Sequence, residues 1–203
     1  AFAVQGVTLE VLGDANDYVG KGLSGAEIIV RPLVSSTLKT NENVIIGNTV
    51  LYGATSGTLY AAGRAGERFA VRNSGATVVV EGCGANGCEY MTGGLAVILG
   101  PVGDNFGAGM TGGMAFVYDE GREFDARVNS ESLVWQPVRS AHWEGVLRST
   151  VEDYAARTES TWARSLLDDW DEKRAHFVQV VPKETLPLLS VPLDGEAEMV
   201  AAE

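Results

Sequence analysis

Cysteine and histidine are nearly absent from this chain, which has two of each. A structural zinc site takes four Cys or His ligands in short paired spacings. Cys83 and Cys88 lack a second pair, and His142 and His176 stand far along the chain, so we expect no metal-binding residue. A disulfide between the two cysteines is open to them in principle, but a reducing compartment keeps thiols free, and both read as small buried residues. Basic charge is also scarce: 15 Lys and Arg against 27 Asp and Glu leave a net charge of −12. Nucleic-acid binding depends on cationic side chains displacing counterions, and anionic membrane surfaces attract the same side chains. Neither partner is expected. No apolar run approaches the ~20 residues that span a bilayer, and no charged-then-apolar leader opens the sequence, so the expected location is cytoplasmic. The chain runs at once into Val4, Val7, Leu9 and Val11, as expected of a fragment cut from a longer polypeptide.

Glycine is abundant, and it is periodic. A hydroxyl residue followed by Gly occurs at Ser56-Gly57, Ser74-Gly75, Thr92-Gly93 and Thr111-Gly112, at intervals of 18, 18 and 19 residues. Ser24-Gly25 is an earlier copy, 32 residues before Ser56. The surplus includes the strand-like Asn43-Val44-Ile45-Ile46-Gly47, which suggests an irregular extra half-coil. Each copy leads into a strand-length run of β-branched, aromatic or small residues, and glycine returns at Gly63, Gly82, Gly100 and Gly121, where a corner calls for positive φ. A fixed repeat of this length is the mark of a solenoid. Hairpins would instead alternate at ~8–12 residues with Asn-Gly or Asp-Gly turns. The fold class expected is all-β: a right-handed parallel β-helix with a C-terminal helical cap.

One face of these strands reads Ala26/Ile28/Val30, Ala76/Val78/Val80, Gly94/Ala96/Ile98 and Gly113/Ala115/Val117, small enough for the narrow inside of a coil. The opposite face carries Ile29, Leu59, Leu95, Val97, Met114 and Phe116, relieved by Glu27 and Thr77. Strands apolar on both faces are covered on both, so one outer wall should pack against the C-terminal segment, a neighbouring domain, or both. After Asn129 the glycines thin out. Ser140 can cap a helix bearing Trp143, Val146, Leu147, Val151 and Tyr154 on one stripe. A second helix starts near Ser160, with Trp162, Leu166 and Trp170 in line. Phe177-Val178-Gln179-Val180-Val181 reads as a short strand stopped by Pro182. Residues 1–139 then form the glycine-rich β-helix, and 140–203 a helical cap for its open end plus a tail that is loose or laid along a surface.

Several motifs look chemical. G-x-G-x-x-G occurs as Gly20/Gly22/Gly25, Gly82/Gly84/Gly87 and Gly107/Gly109/Gly112, but a dinucleotide site needs that motif to open a helix, and Gly25 and Gly112 lead into strands. Ser24 and Ser56 lie outside any G-x-S-x-G and have no histidine near them in sequence. Asp14, Asn16 and Asp17 fit no standard calcium loop and read as a turn bonding its own backbone, as does Asp104-Asn105. His142 reads as a packed or surface residue. We expect no catalytic, cofactor-binding or metal-binding residue in this chain.

The run Gly13-Asp14-Ala15-Asn16-Asp17-Tyr18-Val19-Gly20-Lys21-Gly22-Leu23-Ser24-Gly25 resembles the opening of the C-terminal domain of glutamate synthase large chains. So do Cys88-Glu89-Tyr90-Met91-Thr92-Gly93-Gly94, the block from Asn105-Phe106 to Gly112-Gly113, Leu167-Asp168-Asp169-Trp170, and Phe177 to Lys183. Ala26 stands where the family commonly repeats Gly. The resemblance implies a right-handed β-helix (GXGXG) domain that spaces and braces the catalytic domains of an enzyme of nitrogen assimilation and glutamate biosynthesis. That oxidoreductase makes glutamate from glutamine and 2-oxoglutarate. It implies glutaminase chemistry, FMN and an iron–sulfur cluster on other domains, and NADPH or ferredoxin as electron donor, with a small NADPH-oxidising subunit as a further partner. Two alternatives remain open at this point. One is a freestanding β-helix subunit of a larger redox complex, like the third subunit of formylmethanofuran dehydrogenase. The other is a carbohydrate-active solenoid, which would carry carboxylates along an outer wall that here is mostly apolar.

Overall fold

The computed structural model describes residues 1–194, and the last part of the tail lies outside the described residues. The chain forms strands β1 (Thr8–Leu12), β2 (Ser24–Arg31), β3 (Val44–Ile46), β4 (Ser56–Ala61), β5 (Arg64–Ala65), β6 (Ser74–Val80), β7 (Thr92–Ile98) and β8 (Gly112–Tyr118). Then follow a short helix α1 (Phe124–Arg127), strand β9 (Leu133–Pro137), helices α2 (Ala141–Thr158), α3 (Thr161–Asp168) and α4 (Trp170–Lys173), and strand β10 (Phe177–Pro182). The long sheet runs β1-β2-β4-β6-β7-β8-β10-β9, and its first six strands are parallel. Each of those six strands belongs to a different coil of a β-solenoid of about six turns.

The strand register explains the sequence pattern. Leu9, Ile28, Leu59, Val78, Ala96 and Ala115 form one in-register row across six coils. All but Leu9 lie in the interior core with Val30, Ala61, Val80, Ile98 and Val117. The adjacent row, from Glu10 through Ile29, Tyr60, Val79 and Val97 to Phe116, points outward. Leu59 was expected on the outer face, but it is wholly buried inside and Tyr60 takes the outer position. The reason is a register shift between Ser24 and Glu27: β2 spends one more residue than β4 between its opening serine and the row, so residue parity inverts in β4.

Val44–Ile46 is no extra half-coil. It pairs in parallel with Arg64–Ala65 and is bridged to Ala15, and Ala65 is bridged to Cys83, so these segments are the second wall of consecutive coils. The surplus residues form a loop after Arg31 that contains the 3₁₀ turn Thr40–Glu42. The corner glycines differ as well. Gly63 and Gly82 have φ of 154°. Gly100 and Gly121 are not among the positive-φ residues, and at Gly100 a Cβ would stand 2.3 Å from the Glu81 carbonyl oxygen. Close approach, rather than φ, demands glycine there.

The C-terminal segment covers the outer wall, as expected, but the open end is not capped by its helices. The edge of the last coil is closed by strands: β10 pairs antiparallel with β8, and β9 with β10. Helix signals had obscured β9, whose Leu133-Val134-Trp135 is nevertheless strand-like and stopped by Pro137. Helices α2 and α3 lie against the outer wall. Leu147, Val151, Tyr154, Ala163 and Leu166 pack with Tyr60, Val79, Val97, Leu99 and Phe116 into a second core. Burying such side chains stabilises by ~1.5–3 kcal/mol each. Ser140 stands at the N-cap of α2, and Ser160 accepts from Ala163 N at the start of α3. The ring of Tyr60 meets that of Tyr154 edge-on at 5.6 Å, and its hydroxyl donates to Asp153 at 2.8 Å. The described part of the tail lies along this assembly, with Val191 and Leu193 buried.

Candidate functional site

The third wall of the solenoid has an unusual backbone. Residues 18, 20 and 22 have φ of 61°, 70° and 62°, and the same alternation recurs at 49/51/53, 68/70/72, 86/88/90 and 105/107/109, always between 54° and 72°. Coils join through these residues. Tyr18 N donates to Asn48 O at 2.9 Å, Thr49 N to Glu67 O at 2.9 Å, Arg68 N to Ala85 O at 2.8 Å and Asn86 N to Asp104 O at 2.8 Å. The middle residues donate the other way: Leu51 N to Val19 O at 2.8 Å and Cys88 N to Phe69 O at 2.7 Å. Left-handed backbone costs an L-residue roughly 1–2 kcal/mol, which is why two of the glycine triplets fall here.

The three triplets are therefore not equivalent. Gly20/Gly22 and Gly107/Gly109 occupy the third wall, whereas Gly82/Gly84/Gly87 begins at the corner before it. In that coil the left-handed positions are filled by Asn86, Cys88 and Tyr90. Gly25 and Gly112 lie within β2 and β8, so those triplets lead into strands as expected. Aromatic rings lie over two of the glycines: a Cβ at Gly22 would meet the Phe2 ring at 2.4 Å, and one at Gly109 the Tyr90 ring at 2.4 Å.

The other singled-out residues are dispersed. Ser24 and Ser56 are exposed neighbours at the starts of β2 and β4. His142 is exposed on α2, its ring edge-on to Trp143 at 4.7 Å. Asp17 does not bond its own turn but accepts from Asn48 N of the next coil at 2.8 Å. Asp104 pairs with Arg127. Asn105 extends a ladder, donating to Asn86 at 2.8 Å and accepting from Asn129 at 2.9 Å. Cys83 and Cys88 are free and buried. Burial pushes the Cys83 thiol up to about 12 and raises Cys88 well above the ordinary thiol range.

Two features went unread in the sequence. The first is a groove of about 340 Å³ along the corner between the first two walls, lined by Arg64, Glu81, Val102, Tyr118, Phe124 and Trp162 among others. Glu81 is wholly buried. Its Oε1 accepts from the Tyr154 hydroxyl at 2.8 Å and from the Ser160 hydroxyl. Burial raises its carboxyl above the ordinary range, against hydrogen bonds that pull it down. Oε2 stands beside the Thr40 hydroxyl without closing a bond of normal geometry. Arg64 Nε is also buried without a partner, and no ion pair among the described residues includes Arg64. The Tyr118 hydroxyl, pushed up to about 12 by burial and then by Glu120, closes no bond of normal geometry. The second feature is the open coil edge. All five residues of β1 are exposed, and Phe2, Val4, Leu9 and Leu12 are 69%, 54%, 47% and 51% exposed.

The GXGXG motif family model matches residues 1–183, nearly the whole solenoid and its covering segment. The chain belongs to the GXGXG motif family. This GXGXG chain is 64% identical over 193 residues to the glutamate synthase [NADPH] large chain of Azospirillum brasilense, a match covering 95% of the chain and 13% of that relative. It is 51% identical over 182 residues to the ferredoxin-dependent glutamate synthase of Pyropia yezoensis, covering 90% and 12%. It is 49% identical over 191 residues to the glutamate synthase [NADPH] large chain of Bacillus subtilis, covering 94% and 13%. The GXGXG chain thus spans about an eighth of the length of the curated relatives it matches. The resemblance noted in the glycine blocks is the one these matches show.

The iron–sulfur cluster implied by that resemblance does not fit the residues present. An iron–sulfur cluster takes cysteine thiolates, commonly four, and this chain has two cysteines, both buried with raised thiols. Among the described residues no group of three acidic, His or Cys side chains is placed to hold a metal ion, and no helix is long and apolar enough to cross a membrane.

Proposed function

We propose that this chain is the non-catalytic scaffold domain of a glutamate synthase large chain. In that role it braces the glutaminase and FMN-bearing synthase domains of an enzyme that makes glutamate from glutamine and 2-oxoglutarate. The observation that carries the reading is 64% identity across nearly the whole chain to a glutamate synthase about seven times its length. The shape supports it. Six stacked coils, sealed at one end by β10 and β9 and along one wall by α2 and α3, make a stiff spacer. The opposite end offers unpaired strand edge and exposed apolar side chains, which soluble proteins normally cover. Flavin, cluster and electron transfer belong to the rest of the polypeptide in this reading. A small NADPH-oxidising subunit is a further partner, and the location is cytoplasmic.

The test is made in the full-length polypeptide. Replacing Leu9 and Val11 by Lys should loosen this segment, so that limited proteolysis releases it, while bound flavin and glutaminase turnover of the remaining chain persist. Loss of flavin with the segment still protected would contradict a purely bracing role.

A further inference from the structure

Exposed apolar surface is not spread evenly over this domain. Of the fifteen large apolar side chains that stand exposed among the described residues, eleven belong to residues 1–44. Single residues of this kind are ordinary, but a concentration of them marks a contact surface. Part of it is the β1 edge. The rest is built by the loop after Arg31. Leu33, Val34 and Leu38 are 57%, 77% and 60% exposed there, and Val44, where the chain joins the second wall, is 64% exposed. The loop is fastened at both ends and within itself. Gly13 N donates to Arg31 O, Ser36 N to Leu33 O and Arg64 N to Asn43 O, each at 2.8 Å. Its apolar side chains are therefore held outward by the fold.

Between this loop and the corner after β1 lies a concavity of about 330 Å³, lined by Leu12, Pro32, Leu33, Leu38, Val44 and Ile45 among others. Its neutral polar side chains are already engaged. Ser36 accepts from Leu38 N at 3.3 Å, Asn43 donates to Lys39 O at 2.8 Å, and Thr40 stands beside Glu81. The one charged side chain on the lining is Asp14, which is exposed and enters no ion pair among the described residues. Small-molecule sites orient their ligands with several convergent polar groups. An apolar slot with a single free carboxylate at its rim instead matches a protein segment that carries apolar side chains and a cation. A second copy of this domain suits it poorly, because each copy brings a net charge of −12. The rest of the polypeptide suits it better. The chain spans about an eighth of the relatives it matches, and the resemblance to C-terminal domains puts the remainder before Ala1. Ala1 opens the first coil, where Phe2 N donates to Lys21 O at 2.8 Å and Val4 is bridged to Ser24 and Gly25. The apolar surface and the point of attachment thus share one end of the solenoid.

We propose that the slot between Leu12 and the 32–43 loop receives a segment of the catalytic part of the same polypeptide, with apolar side chains against Leu33, Leu38 and Val44 and a Lys or Arg against Asp14. This rests on the scaffold reading and adds to it a second contact, separate from the β1 edge.

Photo-crosslinking in the full-length polypeptide tests this. Val34→p-benzoylphenylalanine puts the probe at the most exposed apolar position of the loop, and mass spectrometry of the digest locates its partner. The expected product is an internal crosslink to the polypeptide before Ala1, close to a Lys or Arg. Leu38→Asp combined with Val44→Asp should lower its yield about fivefold or more, because the buried apolar contact is lost. Asp14→Lys should lower it about twofold or more. All three side chains are exposed in this domain, so its fold does not depend on them. Crosslinks that stay within residues 1–203, or that join two copies, overturn the proposal. So does a yield unchanged in either variant. None of these outcomes bears on the bracing role, which the proteolysis of the β1-edge variants decides by itself.

Discussion

The hydroxyl of Tyr154, on a helix outside the solenoid, lies 2.8 Å from Oε1 of Glu81 and 3.0 Å from the carbonyl oxygen of Ala61. A phenol has one proton for these two acceptors. Ser160 donates to the same Oε1 while accepting from Ala163 N at 3.0 Å. The only wholly buried carboxyl among the described residues thus joins the solenoid wall to both covering helices.

Burial raises the folded-state pKa of Glu81, so the folded chain holds this proton to higher pH than the unfolded chain does. The stabilising contribution is complete below the unfolded value of about 4.3. It declines as pH rises toward the folded value and is lost above it. Glu81→Gln cannot ionise. Its stability relative to wild type should therefore rise between pH 4 and the raised pKa by up to about 1.4 kcal/mol per pH unit, then level off. Denaturant midpoints across that range check both the sign and the plateau.

Tyr154→Phe leaves the ring packed against Tyr60 but removes the hydroxyl. Glu81 loses a donor and the Ala61 carbonyl loses its side-chain contact in a place water does not reach. A loss of about 1–3 kcal/mol is expected, visible as a lower urea midpoint with an unchanged slope. The effect should shrink at low pH, where Glu81 is neutral.

Thr49 is a β-branched residue at φ 58° in the third wall. That conformation is an outlier for such a side chain. Thr49→Gly should stabilise by up to about 1 kcal/mol, and Thr49→Asn by less, because asparagine tolerates left-handed backbone. Thermal unfolding of the two variants against wild type tests the order.

The first wall was legible because strand parity and an 18-residue interval both leave marks in sequence: Val78 and Val80 read as inward, and so they are. The same parity places Glu81 with Val79 on the outer face, which was the available clue to the buried carboxyl. The Leu59 inversion was hidden, since β4 spends one residue fewer than the other strands between its opening serine and the inward row, which changes register without changing composition. The third wall was half legible. Glycine marks a left-handed position where it occurs, but Arg68, Ala70 and Arg72 take the same backbone with no glycine to announce it. The corner groove was not legible at all, because Arg64, Glu81, Tyr118 and Trp162 are brought together by coil stacking and by α3, at separations no local pattern encodes.

Gly107 combines both demands that make glycine irreplaceable. Its φ is 72°, and a Cβ built on it would stand 2.4 Å from Cδ1 of the buried Leu133. At the equivalent place in other coils, Leu51, Ala70 and Cys88 point their side chains into the core; here β9 has filled that space with Leu133. Gly107→Ala must therefore displace Leu133 as well as adopt left-handed backbone. Overpacking costs about 1–3 kcal/mol and the backbone roughly 1–2 kcal/mol more. Leu133→Ala makes room and should recover part of the overpacking loss in the double variant, but none of the backbone loss. A double-mutant cycle on urea midpoints separates the two contributions. Full recovery would show that the left-handed third wall imposes no strain on alanine at this position.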